Sequence, residues 1–219
     1  MNRTRPASRM PGRTLVAALA LALVPALSAP SLAGPVAPAT PTAAADTSTA
    51  PVRRSAHVLV VSIDGLRPDA IERFEAPTLQ RLKREGSYAE DAKTIGLSKT
   101  LPSHTSMVTG VGPEVHGITW NGDLTLLRGR VKVPTIFGLA RQAGLTTAAF
   151  FGKSKFHHLE VPGTLDHIAS PRGWSGSWAA ETTLGRVEDA LPCVRPDLAF
   201  VHLAEPDRAG HDHGWMGPE

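Results

Sequence analysis

The chain has 219 residues and a formal net charge of +3. Four arginines lie within the first 33 residues and the remaining chain carries a net charge of −1, so no basic surface for nucleic acid is indicated. Cys193 is the only cysteine in the sequence, which excludes an internal disulfide and leaves the hydrophobic core or bound metal as the source of stability.

Residues 1–33 have the pattern of a secretory signal peptide: the arginines, then an apolar run over residues 15–27, then small residues. The alternative is a membrane helix. The apolar run is shorter than the ~20 residues that a bilayer span needs, and it contains Pro25. We therefore expect a secreted or extracytoplasmic protein with no membrane span after signal removal.

Residues 34–54 are almost all Ala, Pro, Thr and Ser. This composition offers too little apolar surface to offset chain entropy, so it predicts a flexible linker. The folded part is expected to begin at Ser55, and residues 55–219 suffice for one domain of moderate size.

The first predicted element is a strand over residues 57–63, HVLVVSI. This run of β-branched and apolar residues ends at Asp64-Gly65 and is typical of a strand buried on both faces of a parallel sheet. A helix is predicted next over residues 69–84, with apolar residues on one side and Gly86 as its stop.

The middle of the chain contains a weak hairpin signal, a helix and a strand. Asn121-Gly122 is a turn pair typical of a hairpin. Residues 133–144 predict a helix with Pro134 in its first turn, and residues 145–151, LTTAAFF, predict the next strand.

A further helix is predicted over residues 178–191 and a further strand over residues 197–203. The alternation of strands and helices predicts an α/β fold with a mainly parallel sheet flanked by helices. In such sheets the site lies beyond the carboxyl ends of the strands, where Asp64, Glu205 and Asp207 are found.

Three segments carry the chemical signal. Asp64 alone could be an ordinary turn residue, but SIDGLRPD is followed by KTLPSHTSMVTGVGPEVHGI and later by AEPDRAGHDHG. In this order they resemble the type I phosphodiesterase and nucleotide pyrophosphatase branch of the alkaline phosphatase superfamily. The resemblance covers nearly the whole folded segment, and it implies an alkaline-phosphatase-like core and a small-molecule phosphate ester as substrate.

The resemblance implies a phosphoryl-transfer site with two zinc ions. Asp64 would bind one metal, and Thr100 would be the nucleophile bound to that same metal. Asp207 and His211 match the family's Asp-x-x-x-His ligands of the other metal. Carboxylate and imidazole suit zinc, and a metal lowers the pKa of a hydroxyl nucleophile.

The hydroxyls around Thr100 have simpler explanations. Ser103 follows Pro102 and is a predicted helix N-cap. The family usually has asparagine at the Ser103 position, where the amide reaches a phosphate oxygen, so Ser103 is expected either to contact phosphate through its hydroxyl or water or to lose that contact. His104 and His116 are interpreted as structural histidines.

Lys153 and Lys155 follow directly on a predicted strand. They could be solvated surface charge, or they could neutralise a doubly charged terminal phosphate, as in relatives with a Lys-x-Arg or Lys-x-Lys pair near this place. The second interpretation favours monoesters over diesters. His157 and His158 are predicted to lie on the surface.

Two alternatives remain open. A sulfatase-like hydrolase of the same fold would need Cys or Ser followed by x-Pro-x-Arg, and the segment from Thr100 to His104 lacks the arginine. The other alternative is an inactive, truncated member of the family. The sequence leaves open whether the substrate is a monoester, a diester or a phosphonate, and it leaves the oligomeric state open too.

The ligand count is incomplete, because each metal has two candidate protein ligands where catalytic zinc normally takes about three. Asp212-His213-Gly214 has the sequence of a further ligand motif, but it begins directly after His211. No strand or helix separates the two motifs, so this one is not expected to reach the other metal. We expect the chain to be the amino-terminal part of a longer enzyme, a core incomplete at its C-terminus. Alone it should bind zinc weakly, turn over little substrate and expose an apolar sheet edge.

Overall fold

A computed structural model describes residues 55–217 of the chain. The predicted signal peptide and the whole of the predicted linker lie outside these residues. None of the helices between residues 55 and 217 combines the length and apolar character that crossing a bilayer requires.

The described part contains one parallel sheet of four strands, which confirms the predicted fold class. The spatial order is β1-β4-β2-β3. The strands are β1 (Val58–Ile63), β2 (Thr147–Phe151), β3 (His167–Ala169) and β4 (Leu198–Leu203). Because Ile63 pairs with Leu203 and Phe151 with His202, three strands end at nearly the same level.

Helices connect and flank the strands. In chain order they are α1 (Pro68–Arg73), α2 (Pro77–Glu85), α3 (Thr100–Thr109), α4 (Pro113–His116), α5 (Thr125–Arg128), α6 (Ile136–Gln142), α7 (Ala180–Val194) and α8 (Glu205–His213), with a 3₁₀-helix at Ser154–Leu159.

The single helix predicted over residues 69–84 is wrong, because the chain forms α1 and α2 instead. Glu75 adopts a positive φ of 49° and Pro77 begins the second helix. Proline lacks the N–H that a continuing helix would use, so the break falls before it. Pro134 likewise precedes α6, whose N-cap Thr135 accepts a hydrogen bond from Gly138 N.

Two further predictions, a hairpin and a first strand buried on both faces, are wrong. No hairpin forms at Asn121-Gly122, since the segment that follows forms the short helix α5. Strand β1 was expected to be buried on both faces, but among the described residues it is an edge strand. Val58, Leu59 and Val61 are about half exposed because only β4 lies beside it.

The core lies on both faces of the sheet. One face buries Phe151 and Phe200 against Phe137 of α6 and Phe156 of the 3₁₀-helix. The other face packs Phe150 and its neighbours against α7. The central strands β2 and β4 are therefore buried on both faces, as their continuous apolar sequences predict.

We predict that Gly65→Ala is more destabilising than Gly163→Ala. Both glycines have a φ near +75°, so each alanine should cost about 1–2 kcal/mol in backbone strain. A Cβ at Gly65 would also lie 2.5 Å from Asp207 Cα, whereas a Cβ at Gly163 meets open space. Chemical denaturation of both variants measures the difference, and equal losses would contradict the close packing of Gly65 on Asp207.

Candidate active site

The candidate site lies beyond the carboxyl ends of three strands. Asp64 directly follows β1, Lys153 follows β2 with Gly152 between them, and Asp207 lies in the first turn of α8 after β4. The backbone N–H of Asp64 donates to Leu203 O at 2.9 Å, which holds the carboxylate beside the end of β4. The parallel topology thus brings together residues that are far apart in sequence.

Lys153 is the centre of this cluster. Its Nζ donates to Asp64 Oδ2 at 2.7 Å and to Asp207 Oδ2 at 2.5 Å. Thr100 Oγ1 donates to the same Oδ2 of Asp64 at 3.1 Å. The Lys153 and Asp64 side chains are only 11% and 12% exposed, so the ion pairs are shielded from bulk water.

The carboxyl group of Asp64 stays charged despite its burial. Burial alone raises the pKa of Asp64, but the contacts with His202 and Lys153 and the Lys153 charge together hold this pKa well below its usual range. Asp64 is therefore a carboxylate at any physiological pH. Such a group orients a hydroxyl and attracts a cation, but it accepts protons poorly.

His202 lies beneath Asp64 and was not singled out by the sequence analysis. It is fully buried on β4, and neither ring nitrogen has a hydrogen-bond partner among residues 55–217. Its Nε2 lies 3.4 Å from Asp64 Oδ2, an electrostatic contact rather than a well-formed hydrogen bond. Burial lowers the pKa of His202, so the ring is neutral at pH 7. The run DLAFVHL predicts only a buried strand, so the sequence did not indicate a site residue within it.

Asp64, His104 and His202 could together hold a metal ion, because one ligand atom of each lies within 4.8 Å of the others. His104, however, already uses both ring nitrogens. Nδ1 lies 2.8 Å from Thr100 O and Nε2 lies 2.8 Å from Ser62 Oγ. Since a carbonyl can only accept, Nδ1 carries the proton and fixes the backbone of Thr100. The structural interpretation of His104 fits these contacts.

Burial, followed by the nearby His202, lowers the pKa of His104 to about 4. The ring is therefore neutral above that pH and keeps its two hydrogen bonds.

The first turn of α3 supplies the polar end of the site. The helix begins at Thr100, so the backbone N–H groups of its first turn have no partner within the helix. One of them, Leu101 N, donates to Asn121 Oδ1 at 2.9 Å. The sequence analysis missed Asn121, because Asn121-Gly122 was interpreted only as a turn.

Ser103 is not the N-cap of α3, contrary to the sequence prediction. Lys99 precedes the first helical residue, and Ser103 lies one turn inside the helix, where its Oγ accepts a hydrogen bond from Thr94 Oγ1 at 3.2 Å. Its N–H is satisfied by Lys99 O. A role for Ser103 at the phosphate stays a prediction.

Lys155 and His211 lie at the margin of the cluster. Burial, followed by the charge of Lys153, lowers the pKa of Lys155. His211 Nε2 lies 3.6 Å from Asp207 Oδ1, one helical turn along α8, and the side chain is largely exposed. Asp212 and His213 follow in the same helix.

His157 and His158 are less exposed than predicted. His157 Nδ1 pairs with Asp123 Oδ2 at 2.7 Å. His158 is fully buried, where its Nε2 accepts hydrogen bonds from Trp120 Nε1 at 3.1 Å and Leu124 N at 3.0 Å. The surface prediction for His158 is wrong, because these donors lie in residues 120–124, a segment that folds over the ring.

The sequence of the chain is similar to that of known proteins. A sequence model of the type I phosphodiesterase / nucleotide pyrophosphatase family matches residues 58–219. Bis(5'-adenosyl)-triphosphatase ENPP4 of Bos taurus is 32% identical over 170 residues, which are 72% of this chain and 37% of that protein. Ectonucleotide pyrophosphatase/phosphodiesterase family member 1 of Homo sapiens is 28% identical over 180 residues, 74% of this chain and 19% of that protein. The chain thus spans well under two thirds of the length of these relatives.

Solved structures show the same fold. Murine ectonucleotide pyrophosphatase / phosphodiesterase 5 superposes with a TM-score of 0.59 at 23% identity, over 74% of this chain and 47% of that chain. Its inactive form in complex with AMP gives 0.60 at 22% identity, over 75% and 47%. At this identity the likeness concerns the fold alone.

We predict that protonation of His158 destabilises the wall formed by residues 120–130. Burial lowers the pKa of His158 below its unfolded value of about 6.5. The neutral ring therefore contributes its full stabilisation above about pH 6.5, and this stabilisation is lost as the pH falls toward the pKa of the folded state. As the pH is lowered from about 7 to about 5, the Tm of the wild type should fall further than that of His158→Gln. Thermal melts at matched ionic strength measure both slopes, and parallel curves would contradict the assignment.

Proposed function

Because this chain belongs to the type I phosphodiesterase / nucleotide pyrophosphatase family, we propose that it hydrolyses phosphate esters with Thr100 as the nucleophile. The observation that carries the proposal is the contact of Thr100 Oγ1 with the buried Asp64 carboxylate, at 3.1 Å and at the first residue of α3. A hydroxyl in this position is oriented by a charged acceptor and lies at the N-terminus of α3, where the partial positive charge of the helix dipole favours phosphate oxygens.

The cluster fits bound metal. An ammonium group already lies within 2.7 Å of Asp64 and within 2.5 Å of Asp207, so the carboxylates are arranged around a cation. Asp64 and Thr100 would hold one divalent ion, proposed to be zinc, and Asp207 and His211 a second. When bound, the two ions would supply a lowered pKa for the hydroxyl and positive charge for the phosphate oxygens.

The protein side chains perform the remaining steps. Asp64 fixes the direction of the Thr100 hydroxyl, and His104 fixes the Thr100 backbone. Thr100 gives its hydroxyl proton to solvent, and Oγ forms a bond to phosphorus as the bond to the leaving-group oxygen breaks, which gives a phosphorylated or nucleotidylated threonine and a leaving group protonated by water. Water then loses a proton to solvent and attacks this phosphorus, and the bond to Oγ breaks as Oγ regains a proton.

The head of α3 would bind the phosphate oxygens. The dipole of α3 places partial positive charge at this end of the helix, which attracts negative charge. Asn121 Oδ1 accepts from Leu101 N, which leaves the Asn121 amide NH₂ group to donate to an oxygen at this helix end. The amide of Asn121 is therefore better placed for this contact than the hydroxyl of Ser103.

The number of ligands supports the proposal that this chain is the amino-terminal part of a larger catalytic domain. Asp64 and Thr100 give one metal two ligands, and Asp207 and His211 give the other two, against about three protein ligands for catalytic zinc. The relatives to which the chain is similar are much longer. The predicted signal peptide supports an extracytoplasmic location for the whole protein.

Lys153 and Lys155 favour a doubly charged phosphate. Both follow β2 at the edge of the site, and Lys153 is buried. A cation in a partly buried site stabilises a dianionic monoester more than a monoanionic diester, since the attraction grows with the charge. We propose phosphomonoesters as the preferred substrates.

Thr100→Ala is expected to remove nearly all turnover while the fold persists, because only the attacking oxygen is lost. Ser106→Ala is the matched control: its Oγ contacts His116 Nε2 at 3.0 Å, away from Asp64. Hydrolysis of p-nitrophenyl phosphate and of its phenyl diester by the protein at native length measures both. Full activity of Thr100→Ala would exclude Thr100 as the nucleophile.

Replacing Lys153 and Lys155 together with Ala should lower kcat/KM for the monoester at least roughly tenfold more than kcat/KM for the diester. The assay uses saturating zinc, so that a change in metal affinity does not enter the comparison. Equal losses on the two esters would show that the lysines do not discriminate between them.

A further inference from the structure

We propose that Lys153 is an internal counter-cation that occupies the carboxylate site in the metal-free protein and leaves it when metal binds. The inference rests on the proposed function, in which Asp64 and Asp207 are metal ligands. It adds a second role for Lys153, distinct from phosphate binding, and it concerns the protein before substrate arrives.

The geometry is that of a bridging cation. One Nζ contacts Oδ2 of Asp64 at 2.7 Å and Oδ2 of Asp207 at 2.5 Å. The Asp207 side chain is 19% exposed and the Asp64 side chain 12%, so neither charge is well solvated. Two such carboxylates without a cation between them would repel each other in a medium of low polarity. Lys153 removes this repulsion within the protein itself.

The backbone of Lys153 is held in place, so release requires movement of the side chain alone. Gly152 N donates to His202 O at 3.1 Å, and Ser154 N donates to Gly176 O at 2.8 Å. Lys153 also forms an isolated bridge with Ser177. The four-carbon side chain can turn about its single bonds and keep its charge at the mouth of the site.

The exchange makes metal affinity depend on Lys153. A divalent ion that binds Asp64 or Asp207 must first displace an ammonium group that already satisfies them, and it then has that ammonium as a neighbour of like charge. Both effects weaken metal binding. A protein without the Lys153 charge should therefore bind zinc more tightly and be less stable without zinc.

The test compares Lys153→Met with Lys155→Met in the protein at native length. Methionine keeps much of the apolar side chain and removes the charge. Lys155 is a suitable control because it lies two residues away and hydrogen-bonds neither Asp64 nor Asp207 among the described residues. Zinc affinity is measured by competition with a chromophoric chelator, and Tm is measured with and without zinc.

We expect Lys153→Met to bind zinc at least about tenfold more tightly than the wild type and to have a lower metal-free Tm that zinc restores. Lys155→Met should differ from the wild type by much less in both measurements. If Lys153→Met folds only with zinc, Lys153→Arg serves as the second variant, since it keeps the charge and should keep the weaker wild-type affinity.

The inference would be overturned if Lys153→Met bound zinc no more tightly than the wild type, or with the same affinity as Lys155→Met. So would zinc binding by Lys153→Arg as tight as that of Lys153→Met. These measurements need no turnover. Tighter zinc binding by Lys153→Met together with full activity of Thr100→Ala would support the exchange and contradict the proposed function. Unchanged zinc binding by Lys153→Met together with loss of activity in Thr100→Ala would contradict the exchange and support the proposed function.

Discussion

The pairing of one ammonium group with two carboxylates at the edge of the sheet is the constraint on which the site depends. Asp64, Lys153 and Asp207 follow β1, β2 and β4, and none of them is near the others in sequence. Because parallel strands end at one edge, the fold must place all three side chains together. Charges of a single sign there would oppose folding, so the sequence needs a cation at this edge whether it comes from lysine or from metal.

The layer beneath the charges is aromatic. His202 and Phe156 lie edge to face with ring centroids 4.5 Å apart, and His104 lies 5.0 Å from both rings. These rings exclude water from one side of Asp64 and lower the local polarity, which strengthens its contacts with Lys153 and Thr100. The same burial keeps both histidines neutral, so no second cation competes for the carboxylate.

Sequence reasoning succeeded where a signal was local. Continuous apolar runs identified β2 and β4, and the residues at strand ends, Asp64 and Asp207, indicated the edge where the site lies. It failed where tertiary packing decided the outcome. Contacts with residues distant in sequence determine that β1 is an edge strand in the described part and that His158 is buried, so the local sequence does not predict either fact. Asn121 was missed for the same reason, since its partner Leu101 lies twenty residues earlier.

The two proposed roles of Lys153 are linked by the fact that one ammonium group cannot satisfy both partners at once. In the metal-free cluster Asp64 and Asp207 hold it, whereas a bound phosphate would draw it toward the head of α3. A phosphate that takes Lys153 removes the competitor of the metal, and a metal that takes the carboxylates releases Lys153 to the phosphate. Because such coupling is reciprocal, each ligand must raise the affinity for the other by the same factor. The shared lysine thus favours a site that holds metal and phosphate together over a site that holds either alone.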